Sequence, residues 1–463
     1  MKYKSTRGGT PSLRFKETVK MGLADDGGLI IPEEIPVLNM SKINGFSSLS
    51  YQDVAFEIMK LFVDDITNDL LRNIIDKSYV SFDNKKIIPL IKKGGLYIAE
   101  LFHGPTLSFK DLALQFLGNL LKQITEDEHR ALNVLGATSG DTGSAAIYGI
   151  KGAMNINIFM LHPEKRISIV QDLQMTTVMD NNVYNLSVDG TFDDCQFIVK
   201  SIFSDVDFKK NFNLIAVNSI NWARILAQIV HYFYIYSRII SEIGYTKINI
   251  VVPTGNFGNI LAGYMAKRMG MPVNKLLIAT NENNILTRFI NNGEYAVSDV
   301  KKTFSPAMDI QVASNFERYL YYLYDESSEK IISIMDGLNR DKRILFDEVI
   351  LEKARSDFSS YSTNNEDSLS MIDSFYKKYG YILDPHTACG VNSTYHADDL
   401  SNYPTVCMAT AHPSKFSNTV QSACGEEPDT PYHIKQLFDM ERKVYSVDRN
   451  IDVIKDFICK RFS

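Results

Sequence analysis

The feature that most constrains this chain is a pattern met twice: a short apolar run, a glycine-rich turn, then a helix. Residues 131–135 lead into Gly136, Ala137, Thr138, Ser139, Gly140, Asp141, Thr142, Gly143 and Ser144, and helical periodicity follows to Ile150. Residues 247–252, the most strand-like run, lead into Pro253, Thr254, Gly255, Asn256, Phe257, Gly258 and Asn259, with a helix to Met269. Similar runs at 155–161, 183–188, 276–280 and 405–410 alternate with helical stretches such as 193–203. This alternation predicts βαβ units around mainly parallel sheets, an α/β fold.

Each turn opens a helix, and a helix N-terminus offers unpaired N–H groups and a partial positive charge. Either turn could hold a phosphate or a carboxylate. For one turn alone the plainer account is preferred, that any βα turn needs Gly or Asn for its geometry. Two in one chain favour a doubly anionic ligand set. Neither turn is GxxxxGK[ST] or GxGxxG, so ATPase and dehydrogenase readings lose support.

Composition narrows the class further. A chain of 463 residues makes roughly three domains, or two with insertions. Its 45% hydrophobic content suits a globular chain rather than a disordered one. A net charge of −6 argues against a dedicated nucleic-acid binder. The five cysteines (Cys195, Cys389, Cys407, Cys424, Cys459) form no CxxC pair, and the eight histidines no HExxH. Neither a disulfide framework nor a metal site is expected, and the thiols suit a reducing compartment. No signal-peptide h-region is visible at the N-terminus. Residues 225–240 are the most apolar stretch, but Gln228, His231 and Arg238 interrupt it, so it reads as a buried helix rather than a membrane span. The expectation is a cytoplasmic protein with no nucleic-acid and no membrane partner.

A third feature is Glu100, His103, Gly104, Pro105, Thr106, Ser108, Phe109, Lys110 and Asp111, followed by the apolar positions Leu112, Leu114, Phe116 and Leu117. Lys110 thus lies at a helix start between Phe109 and Leu112. Desolvation and the helix dipole both favour its neutral amine, which can form an imine or act as a base. Equally, Lys110 reads as a snorkelling lysine whose charge Asp111 pairs.

Ser108, Lys110 and Asp111, then Ser139 to Gly143, then Thr254 to Gly258, in this order and spacing, resemble the threonine synthase family of fold-type II pyridoxal-phosphate enzymes. Further pieces of the same likeness are Tyr3 to Gly8 with Asp26 to Leu29, Asn218 to Arg224, Asp384 to Ala388, and Thr410 to Pro413. Seven weak signals in order span nearly the whole chain. The resemblance is to the long form, with an N-terminal cap and a helical insertion.

The resemblance implies a tryptophan synthase β-like architecture with two mainly parallel αβα sheet domains. It implies a largely helical cap at 1–96, a cofactor-binding α/β core at 97–315, a helical insertion at 316–378, and 379–463 completing the core. Residues 359–365, rich in serine, are expected as a mobile solvated loop at the tip of that insertion. The implied cofactor is pyridoxal 5′-phosphate, held by Lys110 as a Schiff base. Gly255, Asn256, Phe257, Gly258 and Asn259 would cradle its phosphate, and Thr410 would face its pyridine nitrogen. Ser139, Gly140, Asp141 and Thr142 would grip the substrate carboxylate, and Asn218, Ser219 and Arg224 the substrate phosphate. Without the resemblance, Arg224 reads as a helix-surface ion pair and Thr410 as an ordinary strand end.

The implied reaction takes O-phospho-L-homoserine and water to L-threonine and phosphate, by a monomer or homodimer. A related phospho-lyase giving 2-oxobutanoate would carry the same motifs, as would a non-catalytic relative that binds phosphorylated ligands. Many fold-type II enzymes carry Asn where this chain has Asp141. A carboxylate beside the cofactor 3′-oxygen would repel it, so Asp141 is expected to point elsewhere. A neutral Thr410 makes the ring a milder electron sink than an acidic partner would.

Overall fold

The computed structural model describes residues 1–126, 130–164, 167–397, 400 and 402–461. The chain forms two compact units, each discontinuous in sequence: Met1–Phe109 with Ser219–Pro428, and Lys110–Asn218 with Asp429–Ser463.

The larger unit is built on a six-stranded sheet in the order Phe358–Ser362, Val273–Thr280, Ile248–Pro253, Thr405–Ala409, Leu96–Glu100, Leu90–Lys93. Every neighbouring pair is parallel except the last. Ile248–Pro253 and Thr405–Ala409 are buried along their whole length. That is why they read as continuous apolar runs rather than alternating ones. Ile98, Val251, Leu277 and Cys407 pack with Phe375, Leu383 and Val391 into one core cluster. From Ile248–Pro253 the sheet runs outward through later strands on one side, while Thr405–Ala409 and Leu96–Glu100 lie on the other. The strand order therefore reverses between Ile248–Pro253 and Thr405–Ala409, the place where open α/β sheets bind ligands at their carboxyl ends. The helix Trp222–Ile243 is buried almost throughout, which explains its apolar sequence. No helix among the described residues is long and apolar enough to cross a membrane.

At the start of the chain, Tyr3–Ser5 pairs antiparallel with Ile30–Pro32. The helices Tyr51–Met59 and Asn68–Tyr79 follow, capped by Ser50 and Thr67, with Asp64 and Asp65 in the break between them. The stretch 316–378 differs from the helical insertion expected. Its first helix, Phe316–Leu323, is buried at every residue, and Phe358–Ser362 is an edge strand of the main sheet. The serine-rich tip is therefore not a loop over 358–362. Ser360 Oγ donates to Ile278 O at 2.9 Å and Ser362 Oγ to Asn281 O at 2.8 Å. Hydroxyls that bond the neighbouring strand's carbonyls look, in composition alone, like solvated loop.

The smaller unit carries five strands, all parallel, in the order Tyr445–Val447, Val183–Val188, Ile156–Pro163, Leu132–Ala137, Leu214–Ile215. Leu135, Phe159, Leu186 and Ile198 form its core with Ile454 and Ile458. The helices Lys110–Ile124 and Asp141–Ile150 approach backbone to backbone, since a Cβ on Gly118 would overlap the carbonyl of Gly149. The segment 379–463, expected as one piece, is divided at Pro428 between the two units.

Candidate active site

The path into Lys110 is laced to the end of a central strand. Leu101 N donates to Ala409 O and Phe109 N to Thr410 O, both at 2.9 Å, and Ser108 bridges Ala411. His412 N returns to Leu107 O at 3.1 Å, and Lys415 Nζ donates to Thr106 O at 2.7 Å. Leu107 takes a left-handed φ of 57° to close the turn from Gly104. Thr410, buried, therefore lies directly against the residue that precedes the lysine. Lys110 itself begins the helix Lys110–Ile124, as its sequence predicts.

On the smaller unit, Lys110 Nζ donates to Asp141 Oδ2 at 2.9 Å. Asp141 points at the lysine. Its other oxygen, Oδ1, accepts from Gln171 Nε2 at 2.8 Å. Gln171 caps the helix Ile169–Thr176 with Ser168. The loop that delivers Asp141 is tied by Thr138 Oγ1, which accepts from Gly140 N at 2.9 Å and Gly143 N at 2.8 Å. Gly140 has a φ of 135°, and a Cβ there would strike the Gln171 side chain. Ser139 is exposed and Thr142 half-buried on the same turn.

On the larger unit, the 254–259 turn opens the helix Gly258–Arg268, with Phe257 at its N-cap in the left-handed region at a φ of 63°. A non-glycine residue held there marks a loop over-determined by its surroundings. Gly255 packs so closely on the Pro306–Met308 turn that a Cβ would come within 2.7 Å of Ala307 O. That turn is held in place by Ala307 N, which donates to His386 Nε2 at 3.3 Å. His386 Nδ1 lies 2.7 Å from Asp384 Oδ2. Asp384 caps the helix Pro385–Thr394, which explains the Asp384 to Ala388 motif. Asn259 is 6% exposed, and its side-chain Nδ2 finds no hydrogen-bond partner among the described residues. A buried donor left over at a helix N-terminus is what an anion would satisfy.

Ser219 joins this loop through one hydroxyl: Ser219 Oγ lies 2.9 Å from Ser314 Oγ, which donates to Asn256 Oδ1 at 3.1 Å. Two positions assigned to different ligands are thus linked. Arg224 lies in the first turn of Trp222–Ile243 and is buried, not at the surface. Burial pushes its guanidinium down to about 10. Asn221 caps that helix, while Asn218 is exposed.

Sequence reasoning passed over Gln171, His231, Ser314 and Asn315. Asn315 N and Nδ2 both donate to Asn256 O, at 3.1 and 3.3 Å, and Nδ2 also to Ser219 O at 3.2 Å. The buried Arg318 donates to Asn315 Oδ1 at 2.6 Å and to Ile30 O and Ile220 O. Glu317 accepts from Thr6 Oγ1 and from Nε and Nη2 of Arg7. The run Ser314 to Arg318 is therefore packed against the Tyr3 to Arg7 motif, and that pairing was its only available signal.

Comparison with known proteins identifies the family. The family described as "Threonine synthase N terminus" matches residues 2–79, "Pyridoxal-phosphate dependent enzyme" residues 88–410, and "Threonine synthase, C-terminal" residues 387–458. The chain is 44% identical to the threonine synthase of Schizosaccharomyces pombe, over 98% of this chain and 97% of that protein. A crystal structure of PLP-bound threonine synthase from Brucella melitensis is similar at 39% identity and a TM-score of 0.95, covering 99% of this chain and 98% of that one. The yeast threonine synthase structure is similar at 42% identity and a TM-score of 0.94, covering 100% and 98%.

Proposed function

The chain belongs to the threonine synthase family of pyridoxal-phosphate-dependent enzymes, and from that membership we infer which of its residues carry the reaction. It is a fold-type II lyase that takes O-phospho-L-homoserine and water to L-threonine and phosphate. Pyridoxal phosphate, when bound, supplies the electron sink for charge developing at the substrate Cα.

The residues present fit that group. Lys110 would hold it, and Gly255 to Asn259 would take its phosphate, with the unpartnered Nδ2 of Asn259 among the donors. Thr410 would meet the ring with a neutral hydroxyl. Ser139, Gly140 and Thr142 would bind the substrate carboxylate at the start of the helix Asp141–Ile150. Arg224, with Asn218 and Ser219, would bind the substrate phosphate, and a cation already desolvated makes a strong anchor for a dianion.

Lys110 Nζ takes and returns the protons of the reaction. Asp141 Oδ2 holds that nitrogen, and Gln171 holds Asp141. The single observation that carries this assignment is the 2.9 Å contact of Lys110 Nζ with Asp141 Oδ2, one amine and one carboxylate at adjoining helix starts.

We place the enzyme in the cytoplasm as a monomer or homodimer, without nucleic-acid or membrane partners. Its five cysteines, none in a disulfide, and its net charge of −6 support that placement. Product analysis of the cofactor-loaded protein given O-phospho-L-homoserine tests the function. Threonine and phosphate in equal amounts are expected. Phosphate with 2-oxobutanoate would make it a phospho-lyase instead, and no turnover would remove the catalytic reading.

A further inference from the structure

Behind the 254–259 turn lies a buried imidazole that the reaction does not use. His231 sits in the middle of the helix Trp222–Ile243 and is fully buried. Burial pushes its pKa down to about 3, against the opposing hydrogen bond to Asn259. The ring is therefore neutral near pH 7 and carries one N–H. Its Nε2 lies 2.9 Å from Asn259 Oδ1, and its Nδ1 has no partner among the described residues. A proton on Nε2 pairs the N–H and leaves only a lone pair over. A proton on Nδ1 would bury an N–H with no acceptor, the rarer and costlier arrangement.

A second donor converges on the same oxygen. Tyr232 Oη donates to Asn259 O at 2.8 Å and to Asn259 Oδ1 at 3.0 Å. The two rings stack with centroids 4.7 Å apart, so neither donor moves alone. Between them they decide which end of the Asn259 amide is which. Oδ1 is taken from behind, and Nδ2, more than nine-tenths buried and unpartnered, is what remains. Turned over, the same amide would offer a carbonyl lone pair to any anion at this helix start.

We propose that His231 and Tyr232 are positioning residues for the cofactor phosphate, holding Asn259 Oδ1 so that the Nδ2 donors are left for the phosphate oxygens. This rests on the reading that the 255–259 turn binds that phosphate. It adds two residues that touch neither cofactor nor substrate and that carry no motif in the sequence.

The test compares the dissociation constants of pyridoxal 5′-phosphate and of pyridoxal, which lacks the phosphate, for the full chain. The pyridoxal constant divided by the pyridoxal 5′-phosphate constant reads the phosphate contacts and cancels losses in the ring and the lysine. His231→Leu is expected to lower the ratio about tenfold and Tyr232→Phe several-fold, the scale of a charge-assisted hydrogen bond. On an Asn259→Ala background, His231→Leu is expected to lower it no further. Equal weakening of both ligands by His231→Leu would show a merely structural role and overturn the proposal. So would an undiminished effect on the Asn259→Ala background. An Asn259→Ala variant with the wild-type ratio would instead sink the phosphate-turn reading itself. Tyr232→Phe removes one oxygen from a ring that keeps its packing, so it carries the test if His231→Leu does not fold.

Discussion

Replacing Asn315 by alanine should unfasten the phosphate turn from the rest of its unit. The residue is fully buried and makes three side-chain hydrogen bonds. The shortest, 2.6 Å, comes from Arg318, a guanidinium that is itself fully buried and that burial holds down at about 10. A bond to a charged group is worth about 1.5–3 kcal/mol, and each of the longer bonds to Ser219 O and Asn256 O about 0.5–1 kcal/mol. Asn315→Ala should therefore cost about 2.5–5 kcal/mol, with the buried Arg318 Nη1 carrying most of it. The backbone bond from residue 315 to Asn256 O survives the change, so the turn should loosen rather than collapse. The reporter is built in. Trp222, the one tryptophan in the chain, is buried with its ring 5.8 Å from the Arg318 guanidinium. Guanidinium titration followed by its fluorescence measures the loss directly. A change below about 1 kcal/mol would refute the idea that Asn315 joins these elements, because no mutation leaving Arg318 so placed should be that mild.

Four further outcomes are expected. Lys110→Ala should keep its far-UV circular dichroism but lose all cofactor fixed by borohydride, and any lysine-linked cofactor left in that variant would displace Lys110 from its role. Arg224→Ala should lower kcat/KM for O-phospho-L-homoserine by at least tenfold, and an unchanged value would take the residue out of the site. Gln171→Leu removes the bond that holds Asp141 Oδ1, and kcat/KM should fall about tenfold with altered pH dependence. A flat, unshifted pH profile would show that Asp141 needs no such hold. His103 is pulled down by burial, but Asp83 and Glu100 outweigh that and lift it to about 9. A folded pKa raised above about 6.5 gives stability that is complete below that pH and is lost as pH rises toward 9. His103→Gln should therefore cost more Tm at pH 6 than at pH 9.5, and equal losses would count against the ion pair.

What the residues disclosed in advance follows a physical divide. Strands such as Ile248–Pro253 and Val183–Val188 were legible because burial on both faces demands uninterrupted apolar runs. The two glycine-rich turns were legible because close backbone approach restricts residue choice locally. Phe358–Ser362 was missed, since its serines bond neighbouring carbonyls and copy the composition of a loop. Asp141 was placed in the right turn, but its partner lies 31 positions away, and only tertiary structure joins them. Gln171, His231 and Asn315 were invisible for the same reason. Each acts on a neighbour in space through one amide or imidazole, and such residues have no period and no spacing of their own.

The discontinuity of the smaller unit has a consequence for how a ribosome delivers it. Val183–Val188 emerges with one edge paired to Ile156–Pro163, while its other edge waits for Tyr445–Val447. Residues 189–444 must be translated in between, so a nascent chain carries an open strand edge for most of its synthesis. The stacked rings of Phe159 and Tyr184 lack their contacts with Phe457 over the same interval. Growing copies on one messenger would present that edge to each other. Chaperone demand during translation should accordingly follow the distance between two strands in the gene, and a circular permutant that begins at Asp429 would relieve it.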